Sequence, residues 1–99
     1  TAAYTASKSA VAGLTRVCAS EWGTLGINVN ALAPGWIKTG LSAALVADTA
    51  RYESVKARIP MGDWGEPDVF KGVAVLLASS ASDYINGAII PVDGGYLTK

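Results

Sequence analysis

Two short apolar segments, residues 27–33 and 88–92, each run into a glycine-bearing turn: Pro34-Gly35 after the first, Asp93-Gly94-Gly95 after the second. A helical pattern precedes the first segment and a long stretch patterned as helix separates the two. Helix, strand, helix-bearing crossover, strand is a right-handed parallel unit of an α/β fold, because parallel strands need a long connection. Two parallel strands covered on both faces cannot satisfy their outer backbone groups. Further strands are therefore expected upstream, and the start on Thr1-Ala2-Ala3 directly into a helical pattern favours the same polypeptide as their source.

From Tyr4 to Gly23 the residues Val11, Leu14, Cys18 and Trp22 recur at intervals of three and four, predicting a helix over 4–23 packed along that stripe. Gly23 and Gly26 suit its end. Leu41, Leu45, Tyr52, Val55 and Ile59 predict a second helix over about 41–57, interrupted by the polar Asp48. Pro67 fits the first turn of a third helix, 67–79, with Glu66 and Asp68 at its positive end and Val69, Phe70, Val73, Leu76 and Leu77 on its buried face. Asn86-Gly87 turns the chain into the strand over 88–92.

A helix of about 20 residues spans ~30 Å and a seven-residue strand ~23 Å, so strand 27–33 roughly retraces the helix before it. The start of that helix, with Tyr4 and Lys8, is expected at the sheet edge where the strand delivers Pro34-Gly35. Open α/β sheets bind ligands at that carboxyl edge.

Composition removes most other chemistries. A chain that is 51% hydrophobic and 16% charged is built to bury a core. Eight basic residues, scattered along the chain, balance eight acidic ones, which argues against nucleic acid or an anionic membrane as partner. No apolar run approaches a membrane span and no signal-peptide pattern is present, so a cytoplasmic location is expected. With Cys18 the only cysteine and no histidine, neither a disulfide, a cysteine-histidine metal site nor a Ser-His or Cys-His couple can be assembled from these residues. No metal is expected.

What is left for proton transfer is tyrosine, lysine, the carboxylates and hydroxyls, and among those a tyrosine works at neutral pH only when a neighbour favours its phenolate. Tyr4 and Lys8, four apart on a helix, share a face. One ammonium at ~4 to 6 Å contributes ~3 to 4 kcal/mol at an effective dielectric of about 20, and ~1 kcal/mol or less in water-like surroundings. Spacing alone decides nothing, because Tyr52 and Lys56 reproduce it in the second helix, where an ordinary surface pair is expected.

Tyr4-Thr5-Ala6-Ser7-Lys8, then Ile27 to Gly35 (INVNALAPG), then Asp93-Gly94-Gly95, in that order and spacing, resemble the short-chain dehydrogenase/reductase family over essentially the whole chain. The resemblance implies that residues 1–99 are the C-terminal segment of one Rossmann-like, doubly wound parallel domain whose N-terminal dinucleotide-binding half is absent. It implies an NAD- or NADP-dependent oxidoreductase moving hydride between a secondary alcohol or ketone and nicotinamide. Tyr4 would be the acid/base. Lys8 would activate it and bind the nicotinamide ribose, so both residues also contact cofactor. The loop Pro34-Gly35-Trp36-Ile37-Lys38-Thr39 resembles the one that meets the carboxamide, with Pro34, Gly35, the Ile37 backbone and the Thr39 hydroxyl as cofactor contacts.

The connection from Pro34 to Glu66 is longer than a crossover needs, and in the family this region covers the substrate; Trp36, Leu41 and Leu45 are candidate contacts. Residues 58–67 and 81–87 look most like the sugar-acid and polyol branch, the gluconate and deoxygluconate dehydrogenases, although Asp63 stands where many such relatives carry a basic residue. Reduction of 3-oxoacyl thioesters is the alternative within the family. A non-catalytic fragment acting only through subunit contacts is the alternative outside it. The family's glycine-rich phosphate loop and its catalytic serine and asparagine have no counterpart here, so the segment alone is expected to be inactive. A full-length dimer or tetramer is expected by resemblance.

Overall fold

The structure, a computed structural model, describes residues 1–99. In chain order it contains α1 (Ala2–Trp22), a 3₁₀ turn (Gly23–Leu25), β1 (Ala31–Pro34), α2 (Ala43–Ala47), α3 (Thr49–Lys56), a 3₁₀ turn (Pro67–Phe70) leading into α4 (Lys71–Ala78), a 3₁₀ turn (Ser80–Ser82), β2 (Ile89–Val92) and a last 3₁₀ turn (Tyr96–Thr98). β1 and β2 form a two-stranded sheet. Ala31 N–H donates to Ala88 O and Gly35 N–H to Val92 O, both at 2.9 Å, so the register advances in the same direction on both strands and the pairing is parallel. The chain divides into two compact units, Thr1–Leu32 with Val73–Ile90 and Ala33–Gly72 with Pro91–Lys99.

In the first unit, α1 begins two residues before the predicted start and buries a different line from the one its apolar pattern suggests. Thr15 and Ala19 are buried, whereas Val11, Leu14 and Trp22 are exposed. Ala19 meets the turn before β2: a Cβ on Gly87, whose φ is +75°, would lie 3.4 Å from the Ala19 Cβ, and Asn86 Nδ2 donates to Ala19 O at 3.0 Å. Of the two glycines expected at the helix end, Gly26 takes the left-handed conformation, with φ 76°, while Gly23 stays right-handed.

The strand predicted over 27–33 starts only at Ala31; ahead of it side-chain amides supply most of the bonds, beside one backbone bond from Gly87 N–H to Val29 O at 2.8 Å. Asn28 Nδ2 donates to Ser82 O at 3.2 Å and Asp83 O at 3.0 Å. Asn30 Nδ2 donates to Ile85 O and its Oδ1 accepts from Ala88 N–H, both at 2.9 Å. Asn86 Oδ1 accepts from Val29 N–H at 2.8 Å. The second strand likewise starts at Ile89, one residue later than expected.

The helix predicted over 67–79 opens as a 3₁₀ turn and becomes α-helical at Lys71, with Pro67 in the first turn as expected. Phe70, Val73 and Leu77 are half-buried, but Val69 and Leu76 are exposed.

In the second unit the helix predicted over about 41–57 is two helices. Asp48, at φ −84° and ψ 99°, breaks the run and caps α3 by accepting from Arg51 N–H at 3.2 Å, so the polar interruption is a helix start. The core of this unit is Ile59 and Trp64, each 4% exposed. Met61 N–H donates to Gly94 O at 3.0 Å, drawing the stretch after α3 onto the turn that follows β2.

Candidate active site

Tyr4 lies in the first turns of α1 with Lys8 one turn further on, and the Lys8 Nζ is 5.5 Å from the centroid of the Tyr4 ring. Tyr4 is 68% exposed and Lys8 is exposed. Helix geometry alone brings the pair together. The ion pairs of the chain engage Lys38, Lys56 and Lys71, which leaves the Lys8 ammonium uncommitted. Ser7 Oγ donates to Tyr4 O at 2.8 Å, tying the backbone of this turn and not the phenol.

The second pair at the same spacing is similar in distance and different in commitment. Lys56 Nζ lies 5.9 Å from the Tyr52 ring centroid. The expectation of an ordinary surface pair is overturned: Tyr52 is half-buried, its hydroxyl donates to Asp63 Oδ1 at 2.6 Å, and its ring stacks on Trp64 at 5.4 Å and 8°. Lys56 Nζ approaches Asp63 Oδ2 at 3.8 Å. The Tyr52 hydroxyl is thus directed at Asp63.

The loop after β1 belongs to the second unit. Gly35 is required by close approach, since a Cβ there would sit 2.6 Å from the Asp93 Cα. Beyond it, Ile37 and Gly65 form a parallel bridge in which Lys38 N–H donates to Gly65 O and Gly65 N–H to Trp36 O, both at 2.9 Å. The bridge uses neither polar group of Ile37 itself. Its carbonyl accepts from Ser42 Oγ at 2.6 Å, while its N–H makes no bond within the chain. Thr39 N–H donates to the same Ser42 Oγ at 2.8 Å. The Thr39 hydroxyl is exposed and lies 3.5 Å from Ser42 Oγ. A free N–H and an accessible hydroxyl two residues apart suit an amide ligand such as a carboxamide. Pro34 is exposed at the end of β1. Ser42, which orients both Ile37 and Thr39, carries no sequence signal beyond its place in the loop.

A cavity of about 420 Å³ opens in this unit, walled by Trp36, Ile37, Trp64, Gly65, Val92 and Asp93 among others. Trp36 packs edge-on against Trp64 at 5.4 Å and against Tyr96 at 6.2 Å. Of the three residues expected over a substrate, Trp36 is held in that cluster, Leu45 is half-buried, and Leu41 is 98% exposed. Beside the cavity, Lys38 Nζ pairs with Glu66 at 3.1 Å and lies 5.7 Å from the Tyr52 ring. The bond to Glu66, and after it Tyr52, raises Lys38 above the usual lysine range. The bond from Tyr52, then that from the Trp64 N–H at 2.8 Å, lowers Asp63 below the usual carboxylate range.

No group of three or more His, Cys, Asp or Glu side chains is placed to hold a metal ion. Cys18 is a free, half-buried thiol. No helix is long and apolar enough to cross a membrane.

Parallel strands joined by a helical crossover, with glycine-closed carboxyl ends, define an α/β chain of the Rossmann-like class. A family model described as enoyl-(acyl carrier protein) reductase, one of the short-chain dehydrogenase/reductase group, matches residues 1–97. The chain belongs to the short-chain dehydrogenase/reductase family. It is 55% identical over 97 residues to the 2-dehydro-3-deoxy-D-gluconate 5-dehydrogenase of Bacillus subtilis (strain 168), covering 98% of this chain and 38% of that protein. It is 44% identical over 94 residues to the gluconate 5-dehydrogenase of Gluconobacter oxydans (strain 621H), covering 95% of this chain and 37% of the relative. Among solved structures, a gluconate 5-dehydrogenase from Burkholderia cenocepacia J2315 in complex with NADP and tartrate superposes with a TM-score of 0.93 at 44% identity, covering 97% of this chain and 38% of the other. The chain thus spans well under half the length of these relatives.

Proposed function

We propose that these residues are the C-terminal, tyrosine-bearing segment of a longer NAD- or NADP-dependent oxidoreductase that interconverts a secondary alcohol and a ketone on a sugar acid or polyol. The observation that carries the reading is the Tyr4–Lys8 pair, with its ammonium 5.5 Å from the ring and free of any acidic partner, in a chain of this family. Tyr4 Oη holds the proton that the substrate oxygen gives up on oxidation and returns it on reduction. Lys8 supplies the positive charge that favours the phenolate once the site is closed to water, and a donor for the cofactor ribose. Pro34, Gly35, the Ile37 N–H and the Thr39 hydroxyl are assigned to the nicotinamide end. The nicotinamide, when bound, supplies or takes the hydride.

Sugar acids are favoured by the relatives' names and by residues 58–67 and 81–87. A 3-oxoacyl thioester is the second reading, favoured by the description of the matching family model. Turnover of the full-length polypeptide with NAD and with NADP on gluconate-type acids, free polyols and an acetoacetyl thioester separates the two. Preference for an acid is expected; preference for the thioester would reverse the order, and turnover of none would defeat the reading.

The reading includes a dimer or tetramer of the complete protein in the cytoplasm, supported by the exposed apolar Val11, Leu14 and Val17 on α1. It also includes inactivity of residues 1–99 alone, supported by the two-stranded sheet and by the absence of a glycine-rich phosphate loop from the sequence.

A further inference from the structure

Asn86 and Gly87, the turn that delivers β2, are gripped in the first unit by three bonds to backbone. Asn86 Oδ1 accepts from Val29 N–H at 2.8 Å, and Asn86 Nδ2 donates to Ala19 O at 3.0 Å. Gly87 N–H donates to Val29 O at 2.8 Å. Val29 thus holds the Asn86 carboxamide with its N–H and the Gly87 nitrogen with its carbonyl. A Cβ on Gly23 would lie 3.4 Å from Asn86 Nδ2, so the amide also packs on the backbone that follows α1. Asn86 itself is exposed, within reach of water.

An asparagine followed by glycine carries a reaction of its own. The glycine nitrogen, unhindered by a Cβ, gives up its proton to solvent base and attacks the asparagine Cγ. The new N–C bond closes a succinimide ring, the bond from Cγ to Nδ2 breaks, and ammonia leaves. Water then opens the ring at either carbonyl, giving aspartate or isoaspartate. The sum is an amide plus water going to an acid plus ammonia, with no change of oxidation state. In the folded chain neither partner is free to react: the Gly87 N–H is committed to Val29 O, and the carboxamide, held at both ends, cannot turn its carbon onto Gly87.

We infer that Asn86-Gly87 is a deamidation site that the fold keeps closed and that opening of the turn releases. Its rate in the folded protein is the rate in the open chain multiplied by the fraction of time the turn is open. The conversion runs one way, because ammonia is lost to solvent, and its product undoes the grip. An aspartate keeps the acceptor for Val29 N–H but sets a carboxylate oxygen against Ala19 O, and an isoaspartate lengthens the backbone of the turn. Either product loosens the end of α1 from the turn, so a molecule that has opened for long enough to react is both marked and weakened. Asn28 and Asn30, followed by Val29 and Ala31, lack the glycine and serve as internal references.

The test is peptide mapping by mass spectrometry of the full-length polypeptide aged in mildly alkaline buffer, with and without urea, for wild type, Asn30→Ala and Asn86→Gln. Asn30→Ala removes the amide bonds to Ile85 O and Ala88 N–H on either side of the turn and leaves the reacting groups untouched. Acid at position 86 is expected to form about a hundredfold more slowly in buffer than in urea, and about tenfold faster in folded Asn30→Ala than in folded wild type. Asn28 and Asn30 of the wild type should stay intact, and Asn86→Gln, whose longer side chain disfavours ring closure, should gain no acid at 86. Wild-type chains converted at 86 should denature at a lower urea concentration than unconverted chains of the same sample. Equal rates in buffer and in urea would overturn the gate, as would a folded Asn30→Ala chain that reacts no faster than wild type. No conversion in urea would overturn the site, and a converted chain as stable as its parent would overturn the weakening. An Asn30→Ala chain that does not fold must react in buffer at its urea rate, and a slower rate there would also contradict the gate.

Discussion

Gly35 approaches Asp93 so closely that a Cβ on the glycine would lie 2.6 Å from the Asp93 Cα, inside any real carbon contact. The atom met is backbone, which cannot step aside as a flexible side-chain end can. Gly35→Ala is therefore expected to destabilise the chain by about 1 to 3 kcal/mol, the ordinary range for forced overpacking. Gly72→Ala is the control, because a Cβ there meets nothing within 4 Å and the residue is helical. It should stabilise by about 0.5 to 1 kcal/mol. Urea denaturation of both variants checks the sign as well as the size.

Asn30 carries a second prediction. Its amide satisfies a carbonyl at Ile85 and an N–H at Ala88, two backbone groups beside β2 that would otherwise lack a partner. Asn30→Ala should cost about 2 kcal/mol, and Asn30→Asp, which keeps the acceptor but sets a carboxylate oxygen against the Ile85 carbonyl, at least as much. Denaturant midpoints of the two variants, read against wild type, give the ordering.

These asparagines show where the sequence was legible and where it was not. The alternation of Ile27, Asn28, Val29 and Asn30 reads as strand, and the strand exists, but its first half is replaced by amide bonds to residues 82–88 that no local pattern announces. The α1 helix was legible from its period. Its buried face was not, because periodicity marks every apolar face alike, and the line buried is Thr15 and Ala19, not the larger Val11 and Leu14. Asp48 was visible as an interruption without being recognised as a cap. The Tyr4–Lys8 pair and the glycine turn at Pro34-Gly35 could be named from motifs alone. Ser42 and the Tyr52–Asp63 bond could not, since both depend on tertiary neighbours.

Acid dependence follows from Asp63, whose folded-state carboxyl is lowered by the Tyr52 hydroxyl and the Trp64 N–H. A carboxylate held below its unfolded value of 3.8 contributes stability that is present above that pH and is lost as pH falls through the lower folded value. The stability difference between wild type and Asp63→Asn should therefore be constant near neutrality and shrink below pH 3.8. Lys38 acts in the opposite sense. Its raised value gives stability that is complete below 10.5 and is lost as pH rises through the higher folded value, so the difference between wild type and Lys38→Met should shrink only in strong alkali. Denaturation series across pH for the two variants check both directions.

Trp64, 4% exposed and in contact with both Tyr52 and Trp36, is the largest side chain buried in its unit. Trp64→Ala should cost about 3 to 5 kcal/mol, the usual range for deleting a buried aromatic. Trp64→Phe, which keeps a ring and loses the indole N–H bond to Tyr52 O, should cost less than half of that. Thermal unfolding of the pair separates the contribution of the ring from that of the bond.

The central claim is that Tyr4 exchanges the proton and Tyr52, at the same spacing from a lysine, does not. It is tested most directly by kcat for a gluconate-type acid with NADP in the full-length polypeptide, measured for Tyr4→Phe and Tyr52→Phe side by side. The reading predicts that Tyr4→Phe lowers kcat by about 10² to 10⁴, while Tyr52→Phe leaves it within about twofold. A Tyr4→Phe enzyme that keeps its kcat, or a Tyr52→Phe enzyme that loses as much, would contradict it.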